Sequence, residues 1–326
     1  MTPNKLAALK SLSNEKGVIA ALAIDQRGSL KKMLAAAANK PANEEDIVDF
    51  KKIISSELTP YSTAILLDPE YGLPASKQRA DGTGLLIAYE KTGYDASEPG
   101  RLPDLLEDWS VIRLKESGAD AIKFLLYYDV DEDKRINDFK HVYMERLGSE
   151  CAAEDIPFFL ELVSYDAKND DTKGADYAKV KPHKVNDMMK EFSKPKYKVD
   201  VLKVEVPVNM AYVEGFNGDN DPVYTKEQAK QYFVEQSEAT DLPFIFLSAG
   251  VSAKMFQDTL AFAHSAGSTF NGVLCGRATW ANGIEAFAAQ GEKTGKEWMN
   301  TQGRKNIEEL NAVIAKTATP YFDKIK

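Results

Sequence analysis

The chain has 326 residues, of which 44% are apolar and 28% charged, and its formal net charge is −9. Such apolar content excludes a disordered or low-complexity chain, and the length suits one α/β barrel or two smaller domains. With 50 acidic against 41 basic side chains and no Lys/Arg tract interleaved with aromatics, nucleic acid is not an expected partner.

The N-terminal stretch MTPNKLAALKSLSNEKG lacks a charged head followed by an apolar run and a small-residue cleavage site. Beyond it comes VIAALAID (18–25), a strand-length apolar run that ends in the polar cluster Asp25, Gln26, Arg27 and Gly28. The segment 44–58 has helical periodicity and leads to the second run, STAILLDP (62–69). The next connection, 73–79, is too short for a full helix. GTGLLIAYE (82–90) is the third run; its GTG precedes the strand rather than following it, so it is not a dinucleotide fingerprint. An amphipathic segment at 105–118 separates it from ADAIKFLLYY (119–128), and a longer one at 131–154 leads to IPFFLELVSY (156–165). VDVLKVEVPV (199–208), LPFIFLSAG (242–250) and FNGVLCGRATW (270–280) complete the set, followed by helical segments at 284–289 and 292–316.

Eight apolar runs alternating with helical segments, without a long structureless loop, predict a closed (β/α)8 TIM barrel. An open doubly wound sheet is the alternative, because periodicity does not determine strand order. No linker divides the chain, so residues 1–326 are expected to form one barrel domain with extra C-terminal helices. No run of about 18 apolar residues occurs, and membrane contact is not expected. Cys151 and Cys275 are too few for a disulfide framework and have no CxxC partner, which suits a reducing, cytoplasmic setting.

Period-two alternation in a barrel sends one side of each strand to the helices and the other to the axis. It sends Ile122, Phe124 and Leu126 outward and Lys123 inward. On the next strand Phe158, Leu160 and Leu162 point outward and Glu161 inward. On the following strand Leu202, Val204 and Val206 point outward, leaving Lys203 and Glu205 inward. Two lysines and two glutamates thus enter one interior. They form either a structural ion-pair cluster or a reactive site, and the expense of burying charge favours the second reading.

A lysine in an apolar strand can attack a carbonyl as an amine and form a Schiff base, provided that it is neutral. An unperturbed lysine, with a pKa of roughly 10.4, is neutral in only about one molecule in 10³ at pH 7; burial and a nearby cation both favour the neutral form. Lys203 is the candidate nucleophile, with Lys123 as the neighbouring cation. Glu205, on the same face, would hold the proton on Lys203. Glu161 is the candidate proton carrier for carbinolamine dehydration and carbon–carbon cleavage.

Phosphate recognition is expected at SAGVS, ending the seventh strand and opening a helix, and at CGRAT, ending the eighth. Small residues there let backbone N–H groups approach an anion, and Arg277 offers a fork of donors. Ser248, Gly250, Gly276 and Arg277 are the candidates. Asp25 and Gln26 would bind substrate hydroxyls or orient the lysines, Arg27 would meet a second phosphate, and Glu205 joins the substrate-binding set. His141, His183 and His264 fall in predicted helices or loops without ligand spacing, so no metal site is expected.

The segments ALAIDQRGSL, DAIKFLLYY, FFLELVSYD, DVLKVEVPV, LSAGVS and CGRATW, in this order across essentially the whole chain, resemble the bacterial class I tagatose 1,6-bisphosphate aldolases of the tagatose 6-phosphate pathway of lactose metabolism. The resemblance implies a TIM barrel that reversibly cleaves tagatose 1,6-bisphosphate to dihydroxyacetone phosphate and D-glyceraldehyde 3-phosphate through a Schiff base, with no metal or other cofactor. Carried over motif by motif, it implies Lys203 as the Schiff-base lysine, Glu161 as acid/base, and Lys123 as the lysine of AIKFLLYY. Asp25, Gln26 and Arg27 are the polar residues of its DQRG motif, and Ser248, Gly250, Gly276 and Arg277 belong to its phosphate segments. The family discriminates loosely between C4 epimers. Fructose 1,6-bisphosphate and 6-sulfofructose 1-phosphate are therefore alternative substrate classes, and a sugar-phosphate-sensing regulator is the alternative outside catalysis. A small phosphorylated sugar is the expected partner, and a homo-oligomer is expected as well, with no feature choosing dimer or tetramer.

Overall fold

A computed structural model describes residues 1–325. Its strands are β1 (Ile19–Ala23), β2 (Ala64–Leu67), β3 (Gly84–Ala88), β4 (Ala121–Tyr128), β5 (Phe158–Ser164), β6 (Val201–Val204), β7 (Phe244–Phe246) and β8 (Gly272–Cys275). Each pairs in parallel with the next, and β8 pairs with β1, so the sheet closes into an eight-stranded barrel rather than lying open. Every predicted apolar run contains one of these strands.

Helix α1 (Pro3–Ser11) precedes the barrel, α2 (Gly28–Ala38) and α3 (Glu44–Leu58) follow β1, and α4 (Leu73–Ser76) is the single turn after β2. The later connections carry α5 (Val111–Glu116), α6 (Lys134–Ala153), α7 (Ala175–Phe192), α8 (Lys226–Glu238) and α9 (Ala253–Ser265). Beyond β8 lie α10 (Arg277–Trp280), α11 (Gly283–Gln290), α12 (Glu292–Trp298) and α13 (Arg304–Thr317). No helix among the described residues is long and apolar enough to cross a membrane.

Strand alternation produces two cores. Ile122, Phe124, Leu126, Phe158, Leu160, Leu162, Leu202 and Val204 belong to the outer core, shared with helix residues such as Met144, Leu147, Val185 and Met189. Ala21, Ala23, Leu66, Leu86, Ala88, Phe159, Val201, Ile245 and Leu274 fill the axis. Small residues on the early strands leave room for Phe159, in keeping with the mixed large and small layers that pack a barrel. Leu9 and Leu12 near the N-terminus and Tyr321 near the C-terminus join this inner core. The apolar lower half leaves the carboxyl ends of the strands for polar chemistry.

Closure at β8 depends on Gly272. Its φ is +137°, and a Cβ there would lie 1.9 Å from the backbone oxygen of Ile19 on β1. Only a residue without a side chain fits between the first and last strands.

Two expected elements differ. The helix predicted at 105–118 begins only at Val111, where the Ser110 side chain caps it; upstream, Leu105 forms an antiparallel bridge with Glu90. The seventh strand stops at Phe246 and α9 begins at Ala253, so SAGVS forms a loop instead of a direct strand-to-helix junction.

Candidate active site

A cavity of about 1220 Å³ opens over the carboxyl ends of the strands. Its walls include Asp25, Glu90, Lys123, Glu161, Lys203 and Arg277. This is where a barrel's loops and strand ends converge.

The same alternation that packs Phe124, Leu160 and Leu202 against the helices turns Lys123, Glu161 and Lys203 to the axis. Glu161 and Lys203 are register partners on β5 and β6. Glu161 Oε1 lies 2.8 Å from Lys203 Nζ, and its Oε2 lies 2.7 Å from Lys123 Nζ. Lys123 also donates to Asp25 Oδ2 at 2.8 Å and to Glu90 Oε1 at 2.6 Å. Its ammonium is thus ringed by three carboxylates, with hydrogen bonds to Asp25 and Glu90 and an ion pair to Glu161.

Burial opposes the charge of Lys123, but Asp25, Glu161 and Glu90 outweigh it and raise its pKa well above the ordinary lysine value. For Asp25, burial likewise opposes ionisation, yet Lys123 and then Lys203 hold the carboxyl well below the usual carboxylate range. Lys123 is therefore a fixed cation and Asp25 a fixed anion at neutral pH. Lys203, only 4% exposed, lines the cavity beside one oxygen of Glu161. That geometry permits proton exchange between an amine and a carboxylate whose other oxygen is already held.

Glu205 does not take the place expected beside Lys203. β6 ends at Val204, and the Glu205 carboxylate turns to the Ser164 N–H at 2.7 Å, the Ser164 hydroxyl at 2.5 Å and Lys181 at 3.5 Å. The carboxylate that meets Lys203 is Glu161. Val206, past the strand end, packs against the outer core as predicted and also lines the cavity.

Ser248, Gly250, Gly276 and Arg277 share one rim of the cavity. Ala249 and Gly250 both have positive φ, +49° and +78°. A Cβ on Gly250 would stand 3.0 Å from Arg277 Nη2, so the two predicted phosphate segments touch. Among the described residues Arg277 has neither an ion pair nor a side-chain hydrogen bond, which leaves its guanidinium available to an anion. Ser252 caps α9 by accepting from the Met255 N–H at 3.2 Å.

The DQRG residues divide in three directions. Asp25 orients Lys123. Gln26 lines the cavity, and its Oε1 is buried without a partner among the described residues. Arg27 pairs with Glu70 and donates to the Glu90 carbonyl at 2.6 Å, so much of its hydrogen-bonding capacity is committed within the protein.

Glu90, Ser164 and Lys181 are site residues that the motifs did not single out. For Glu90 a signal existed: continuing the alternation of Leu86 and Ala88 by one step places it on the axial face. His141, His183 and His264 lie on α6, α7 and α9. Among the described residues no three His, Cys, Asp or Glu side chains form a group that could hold a metal ion.

The model of the DeoC/LacD family aldolases matches residues 19–282, from β1 to just past α10. The chain belongs to the DeoC/LacD aldolase family. It is 66% identical over 326 residues to tagatose 1,6-diphosphate aldolase 2 of Enterococcus faecalis, covering 100% of this chain and 98% of that one. To tagatose 1,6-diphosphate aldolase of Staphylococcus haemolyticus it is 58% identical over 317 residues, covering 97% of both chains. Among solved structures, fructose-bisphosphate aldolase from Plasmodium falciparum superposes with a TM-score of 0.68 at 14% identity, covering 94% of each chain. At that identity the likeness concerns the barrel fold. All eight strands, and with them Lys123, Glu161 and Lys203, lie inside the span matched to the DeoC/LacD family.

Proposed function

We propose that this family member is a class I aldolase that cleaves D-tagatose 1,6-bisphosphate reversibly to dihydroxyacetone phosphate and D-glyceraldehyde 3-phosphate. The observation that carries the reading is the Glu161 carboxylate set between Lys203 and Lys123, one oxygen to each. The choice of sugar follows the tagatose 1,6-diphosphate aldolases to which the chain is 66% and 58% identical.

The neutral Lys203 amine attacks the C2 carbonyl, and loss of water, assisted by Glu161, leaves an iminium. The C3–C4 bond then breaks as the C4 hydroxyl gives its proton to the Glu161 carboxylate. The bonding electrons pass into the iminium, giving an enamine on Lys203 and free glyceraldehyde 3-phosphate. Protonation at C3 and addition of water release dihydroxyacetone phosphate and return the amine. The iminium is the electron sink, so the route calls on no metal or other cofactor. Lys123 stays protonated and orients Glu161, while Asp25 and Gln26 face the substrate hydroxyls. Arg277 with the Ser248 and Gly250 loop receives one phosphate. A cytoplasmic setting and self-association complete the proposal.

The test is to incubate the protein with dihydroxyacetone phosphate, reduce with sodium borohydride, and map the modified peptide by mass spectrometry, with a chelator-treated sample in parallel. A stable adduct on Lys203, with activity indifferent to chelator, is the expected result. No adduct, or activity lost with the chelator, would overturn the mechanism. Turnover of tagatose 1,6-bisphosphate measured against fructose 1,6-bisphosphate tests the sugar.

A further inference from the structure

Glu90 follows β3 and is more enclosed than the other two carboxylates on Lys123, with its side chain 6% exposed against 12% for Asp25 and 11% for Glu161. Both of its oxygens are occupied. Oε1 accepts from Lys123 Nζ at 2.6 Å, and Oε2 accepts from the Leu125 N–H at 3.1 Å, two residues further along β4. Its carbonyl accepts from Arg27 at 2.6 Å, and its backbone is bridged to Leu105. Glu90 is therefore anchored by the segments after β1 and β3, and it grips β4 at both a side chain and the backbone.

Resting on the Schiff-base reading, we infer that Glu90 is a positioning residue for Glu161 and acts through Lys123. Its charge adds to those of Asp25 and Glu161 in holding the proton on Lys123. That cation holds Glu161 Oε2, so that Oε1 alone is presented to Lys203. Asp25 and Glu161 must also answer to the substrate hydroxyls, whereas Glu90 has both oxygens committed inside the protein. It is the partner of Lys123 that need not change as the reaction proceeds.

Removing Glu90 leaves one N–H of Lys123 without its acceptor and frees Nζ to swing toward Asp25, drawing Glu161 Oε2 with it. A glutamine cannot substitute silently. Two donors, Lys123 Nζ–H and the Leu125 N–H, converge on residue 90, and a carboxamide offers one acceptor and one donor group. An aspartate keeps the charge but withdraws it by one methylene.

The experiment measures kcat and KM against pH for wild type, Glu90→Gln and Glu90→Asp with a ketose bisphosphate, and traps each with dihydroxyacetone phosphate and borohydride. Glu90→Gln is expected to lower kcat by about 10- to 100-fold with KM within about threefold, as loss of orientation rather than of binding would do. Both limbs of its kcat/KM profile are expected to move to lower pH by about one unit, because losing a nearby negative charge makes the remaining groups release protons more readily. Glu90→Asp should lose kcat while keeping the wild-type limbs.

A purely structural role would reduce activity without moving the limbs, so an unshifted profile in Glu90→Gln overturns the inference. If Glu90→Gln fails to fold by circular dichroism, Glu90→Asp decides, and wild-type kcat in that variant overturns it. Absence of an adduct in the wild type would overturn the Schiff-base reading itself. A wild-type adduct together with an unshifted Glu90→Gln profile would remove only the role given to Glu90.

Discussion

Glu161 and Lys203 face each other across the β5–β6 ladder, in register and 2.8 Å apart between Oε1 and Nζ. A carboxylate this close can take a proton from the amine before attack and return one to a leaving hydroxyl afterwards. Neither residue stands alone. The second oxygen of Glu161 is ion-paired with Lys123, which donates hydrogen bonds to Asp25 and Glu90.

Replacing Lys203 removes the only group assigned to covalent bonding. Lys203→Met is expected to abolish turnover and borohydride trapping, while thermal melting shows a folded barrel, since an unbranched apolar chain fills much the same space. Residual turnover above background would argue for another nucleophile.

Glu161→Gln keeps the shape of the side chain and removes the proton acceptor. Turnover should fall by about 10² to 10⁴, the range typical for loss of a general acid/base, with dihydroxyacetone phosphate still bound. A kcat equal to wild type, measured by a coupled assay, would take Glu161 out of proton transfer.

Arg277→Ala should chiefly weaken binding. Loss of a charge-assisted hydrogen bond of about 1.5–3 kcal/mol corresponds to roughly a 10- to 100-fold rise in KM for a phosphorylated ketose. The comparison is with the same sugar lacking that phosphate, for which the variant and wild type should differ little. Equal losses on both would show that Arg277 does not read the phosphate.

Lys140 on α6 is fully buried and donates to the Tyr165 hydroxyl at 2.9 Å, whose single O–H has Glu132 Oε2 at 3.0 Å and the Gly100 carbonyl at 3.1 Å as its acceptors. Burial pushes its pKa down to about 7, against the opposing pull of Glu132 and Asp129 and with a further push from Arg101. In the unfolded chain a lysine keeps its proton to roughly pH 10.4. Between these values the unfolded state binds more protons, so this group makes stability rise with pH from about 7 upward. Lys140→Met should flatten that rise. Melting curves from pH 6 to pH 9 that run parallel for the two proteins would contradict it.

Gly272→Ala should destabilise the barrel by at least about 3 kcal/mol, combining a positive φ with a backbone collision. The collision is severe, with the added Cβ 1.9 Å from the Ile19 oxygen. Denaturant unfolding of the variant beside Gly267→Ala, which also has positive φ but open space around its Cβ, separates the collision from the backbone strain. Equal losses in the two would mean that β8 shifts to make room.

Much of the barrel could be read from local order alone. Alternation is a property of neighbours in the chain, so each apolar run announced a strand, and the same alternation placed Lys123, Glu161 and Lys203 on the axis. Where regular strand geometry ends, that rule loses force: Glu205 turns to Ser164 and Lys181 instead of Lys203. The helix expected from Leu105 lost its first turn to a bridge with Glu90, a partner that helical periodicity cannot register.

By itself, the sequence determined which residues alternate, which runs are apolar enough to be strands, and which motifs mark an aldolase. Only the tertiary structure decided which charge meets which. Lys123 reaches Asp25 across 98 positions of chain and Glu90 across 33, while Arg27 finds Glu70 and the Glu90 carbonyl. These pairings arise from closure of the barrel, which brings together strand ends far apart in sequence. In so enclosed a site the energy of a charge is set by its nearest neighbours in space, and chain order does not name them.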